Sequence, residues 1–135
     1  MGRVGFAHVV AACAVLLAAC GGGPGAGAPR DASIDEFCEA KGWMVAEGMD
    51  RFFESGLPSD DELVDLVHEW GDELARTGTP DNMSAEARAG FEKLVGRIDG
   101  LESGDVDEGS FNWDDGAWEG EEEKSFANYV TNTCP

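Results

Sequence analysis

The chain reads as an all-α protein, a small four-helix, bundle-like domain occupying residues 33–135. Three observations predict it. Two segments open with the Ser-x-x-Glu spacing of a capping box, Ser33-Ile34-Asp35-Glu36 and Ser59-Asp60-Asp61-Glu62. Apolar residues then recur at three- and four-residue steps along most of the length. No window shows the clean alternation of apolar and polar residues that a half-buried strand requires.

The first helix is expected to follow Ser33, whose side chain satisfies the amide three residues on while Glu36 reaches back. Ile34, Phe37, Cys38, Met44, Val45, Met49 and Phe52 form its apolar stripe. Lys41 interrupts that stripe, Gly42 and Gly48 lower propensity, and Gly56 and Pro58 end the helix. The second begins at Ser59 with three acids in its first turn, where the helix dipole favours negative charge. Leu63, Leu66, Val67, Trp70 and Leu74 share one face, and Gly78 and Pro80 stop the run. The third starts near Ser84 and carries Ala87, Phe91, Leu94, Val95, Ile98 and Leu101. The fourth is shorter, with Phe126, Tyr129, Val130 and Thr133 preceded by Glu121, Glu122 and Glu123 at its amino end.

A length of 135 residues has room for one domain. Against 28 acidic residues stand 9 basic ones, a formal net charge of -19. Phosphates need a Lys/Arg surface, so this balance argues against nucleic acid, and it disfavours lying flat on anionic lipid. It is compatible with solubility, with cation binding or with a basic partner.

Residues 1–19 do not belong to the helical domain. Arg3 precedes an apolar run, Gly5 to Ala19, broken only by His8 and short for a membrane span of about 20 residues. The run ends in Leu17-Ala18-Ala19-Cys20 and a glycine tract. These four residues resemble the lipobox of bacterial lipoproteins. The resemblance implies that the segment is a signal peptide cleaved after Ala19, and that Cys20 takes a diacylglyceryl group on its sulfur and becomes the mature N-terminus. The chain would then be anchored by lipid on the extracytoplasmic face of the cell membrane. Two acyl chains at about 0.8 kcal/mol per buried methylene anchor firmly where one would not. Residues 20–32, rich in Gly, Ala and Pro, are expected to form a flexible tether.

That resemblance changes the cysteine count. Cys13 leaves with the signal and Cys20 is acylated, so Cys38 and Cys134 remain to pair in an oxidising exterior. Closing a loop of about 100 residues stabilises by roughly 4 to 5 kcal/mol in the chain-entropy account. An up-down-up-down bundle places the start of its first helix and the finish of its fourth at the same end, so bundle and disulfide predict each other. The stretches EFC (36–38), GTPDNMSAEARAGFEKL (78–94) and FANYVTNTC (126–134) are similar to small exported helical proteins of actinobacteria, a resemblance that implies a fold and no site residues.

Between residues 99 and 123 lie eleven acids and no Lys or Arg. A connection of this length is unusual in a compact domain. Asp105, Asp107, Asp114 and Asp115 are candidate calcium ligands, being hard oxygen donors. The EF-hand spacing fails, however: counted from Asp105, Gly109 stands where a ligand is needed and Ser110 where glycine is needed. Phe111, Trp113 and Trp118 either pin this loop to the bundle or anchor a partner. His68, off the apolar stripe near Asp61, Asp65 and Asp72, is expected to be a solvated histidine in an acidic face, one imidazole being too few for a metal or base site. There is no Gly-x-Ser-x-Gly, phosphate loop or His-Glu-x-x-His. The expectation is a non-enzymatic, cofactor-free binding module that meets a protein or ligand of the envelope. Its alternatives are a small envelope hydrolase using two carboxylates and a calcium-responsive binding protein.

Overall fold

The computed structural model describes residues 23–107, 110–111 and 119–135, with the backbone alone at Asp107, Ser110 and Phe111. Four helices carry the fold: α1 (Ile34–Ser55), α2 (Asp60–Thr77), α3 (Ala85–Asp99) and α4 (Glu121–Thr133). Local chemistry sets their starts. Ser33 and Ser59 each close a reciprocal capping box, with Glu36 and Glu62 accepting from the cap amides at 2.9 and 2.8 Å. Ser84 caps α3 by accepting from Ala87. At the end of α2, Gly78 has φ +79, and a Cβ there would meet the Pro29 carbonyl at 2.2 Å, so the turn requires glycine.

The core gathers one face of each helix: Phe37 and Ala40 from α1, Val64, Val67 and Leu74 from α2, Phe91, Leu94 and Ile98 from α3, and Phe126 from α4. Edge-to-face contacts link three of these helices in series, Tyr129 to Phe37 at 5.9 Å, Phe37 to Phe126 at 6.4 Å and Phe126 to Phe91 at 6.0 Å. α3 and α4 approach closely because Gly90 lacks a side chain; a Cβ there would lie 2.2 Å from the Glu122 carbonyl oxygen. Cys38 and Cys134 form the disulfide, their Cα atoms 5.4 Å apart, and join the first turns of α1 to the residue that ends α4.

Three features differ from expectation. Residues 24–32, expected as part of a tether, lie on the domain. Pro24–Gly27 form a 3-10 turn with Gly25 buried against Glu92 and Val95 of α3. The Pro29 carbonyl accepts from Thr79 N–H at 2.9 Å, and Ala32 N–H donates to the Thr79 carbonyl at 3.3 Å. The contacts are made by backbone, by a glycine and by short or charged side chains, with Ala28 against the core and Arg30 at 3.9 Å from Glu92, which apolar patterning does not register.

The second difference is in the connection after α3. Val106–Asp107 (β1) pairs antiparallel with Ser110–Phe111 (β2), Val106 opposite Phe111. Two residues per strand are too few for alternation to be visible.

The third concerns α1. Its apolar stripe, read from periodicity alone, does not stay against the core: beyond Met44 it opens to solvent, with Val45 70% exposed, Met49 50% and Phe52 41%. The 22 residues of α1 span about 33 Å, whereas α4, with 13, spans about 20 Å. The shorter helix is tied to the beginning of the longer one, where Phe37 and Cys38 meet it, and the later turns of α1 have mainly α2 beside them.

Candidate functional site

The open end of α1 forms an apolar face. Val45, Met49 and Phe52 follow one another at steps of four and three, and so lie along one side of the helix. Phe53 stacks edge-on against Phe52 at 5.8 Å and is 74% exposed. Gly56, with φ +86, turns the chain so that Leu57 stands 86% exposed beside them. Where α1 meets α2, Gly48 leaves a shallow groove of about 170 Å³, walled by Phe52, Leu57 and Leu66. Burying such side chains is worth about 1.5–3 kcal/mol each, which makes a contiguous run of them in water costly unless something covers it.

Glu47 and Glu54 lie on the side of α1 away from this face and Asp50 between the two sides, while Asp60, Asp61 and Glu62 open α2 just beyond Leu57. Arg51 is the one basic residue of α1's second half, and its guanidinium is already engaged by Glu69 at 2.6 Å and Glu47 at 3.1 Å. Those two carboxylates, Glu69 first, hold its pKa above the ordinary arginine value.

A second concavity, about 540 Å³, lies at the other end of α1 between the 29–32 segment and the finish of α2. Asp31, Glu36, Glu39, Glu73 and Arg76 face it, with Trp43 as one wall. Much of its charge is committed. Glu36 is held below the ordinary carboxylate range by the Ser33 hydroxyl and amide, and Glu73 pairs with Arg76.

The hydrolase alternative asks for two buried carboxylates in one pocket. Among the described residues the buried carboxylate is Glu123, 3% exposed, and it faces two cations: Arg97 at 3.1 Å and Lys93 at 3.3 Å. Its own backbone N–H lowers its pKa most, Lys93 and Arg97 lower it further, and burial opposes them. This arrangement fastens α4 to α3. It also explains why the third of the three acids opening α4 points inward when the helix dipole alone would leave all three in solvent.

The other residues singled out in the sequence are scattered. Asp105 is exposed and its carboxylate caps a short 3-10 turn, Ser103–Asp105, by accepting from Glu102 N–H at 2.9 Å. Asp107 contributes backbone to β1, and its side chain lies outside the described residues, as do Asp114, Asp115, Trp113, Trp118 and Cys20. Among the described residues no group of three or more His, Cys, Asp or Glu is placed to hold a metal ion. His68 departs from expectation: it is half-buried beside Pro24, Gly71 and Asp99, around a cavity of about 30 Å³. Its Nε2 is covered and has no hydrogen-bond partner among the described residues. The ordered N-terminal segment covers it, which explains the departure.

Sequence patterning located the stripe of α1 but missed Phe53 and Leu57, which do not fall on it. Two adjacent phenylalanines in a glycine-bounded helix end were the available signal. Among the described residues no helix is long and apolar enough to cross a membrane. No family model, curated protein or solved structure matches the chain.

Proposed function

We propose that this chain is an exported, lipid-anchored binding module of the cell envelope, with the open face of α1 as its docking surface. The observation that carries the docking role is the run Val45, Met49, Phe52, Phe53 and Leu57, exposed on a disulfide-closed domain whose core is otherwise filled. The Leu17-Ala18-Ala19-Cys20 sequence supports the anchor. With 24–32 packed on the domain, little chain separates a lipid on Cys20 from the folded part, which would hold the module close to the membrane surface.

Two measurements test the two halves. In cells producing the chain, the wild type should fractionate with membranes and Cys20→Ser should be released; wild-type protein found free of lipid would end the anchoring claim. A photo-crosslinking residue at position 53 should give a discrete adduct, and one at Asn128, exposed on α4, should not. Absence of any adduct at 53 would remove the docking role.

A further inference from the structure

We draw no further inference here: the strongest candidate, the exposed apolar patch that runs from Val45 to Leu57 at the open end of α1, belongs to the docking surface already described, and nothing in the structure shows what covers it.

Discussion

At the scale of single residues, two phenylalanines of one helix have opposite roles. Phe37 is fully buried and makes ring contacts with both Phe126 and Tyr129, whereas Phe53 is 74% exposed. Removing the first ring leaves a cavity bounded by α4, and Phe37→Ala should cost about 3–5 kcal/mol of unfolding free energy. Removing the second should change stability by less than about 0.5 kcal/mol. Urea unfolding of both variants distinguishes them, and a large loss from Phe53→Ala would mean that the exposed face contributes to folding. The three- and four-residue steps made both halves of α1 visible as an apolar stripe, but periodicity reports which side of a helix is apolar and not what lies against it. Whether a partner element is long enough to reach is a property of the tertiary fold. The core half of α1 was therefore legible in the sequence, while the exposed half, which is the candidate site, was legible only as apolar.

At the scale of elements, the capping boxes were the most legible part of the fold because they are complete within four residues. Each Ser-to-Ala change should cost about 1 kcal/mol; Ser59→Ala is the cleaner test, being remote from the disulfide. The N-terminal segment was the least legible, because its hold on the domain is mainly a pair of backbone hydrogen bonds and a glycine pressed on α3, with Ala28 and the Arg30–Glu92 pair beside them. At Gly25 a Cβ would sit 2.9 Å from the Glu92 Cα and 3.1 Å from the Val95 Cβ. Gly25→Val should therefore lift this segment and leave the bundle folded. Amide exchange at Ala32 and Thr79, which bond across that contact, should accelerate by roughly tenfold or more, with little change at Phe126 or Leu94. Uniform acceleration would mean that the segment and the core open as one unit.

For the whole molecule, two long-range terms act against each other: one disulfide that closes most of the chain, and a large excess of negative charge. The bond joins residues 96 apart and contributes about 4–5 kcal/mol in the chain-entropy account, against a total of about 5–15 kcal/mol for a domain of this class. Reduction should therefore bring the midpoint of thermal unfolding down steeply. The charge acts the other way. With 28 acids to 9 bases, the folded state repels itself, and added salt at neutral pH should raise the melting temperature, because screening reaches the many exposed acids. Salt also weakens the few exposed pairs, but those are worth about 0–1 kcal/mol each, so the repulsive sum wins. Acid changes the balance in two stages. Carboxylates as a class neutralise near pH 4, so lowering the pH toward that value relieves repulsion and the benefit of salt should shrink. Glu36, Glu62 and Glu123 behave differently, since the Ser33 and Ser59 caps and, at Glu123, its own N–H with Lys93 and Arg97 lower their folded pKa values below 4.5. Their stabilisation is complete above the unfolded value and is lost as the pH falls through the lower folded values. Melting temperature at low salt should therefore rise as the pH drops from 7 toward 5, pass through a maximum and then fall. Glu123→Gln, which removes one ionisable group at the α3–α4 contact, should make the acid-side fall shallower at the cost of a lower plateau. A melting temperature that declines steadily from pH 7 downward, with no response to salt, would show that self-repulsion is not what limits this fold.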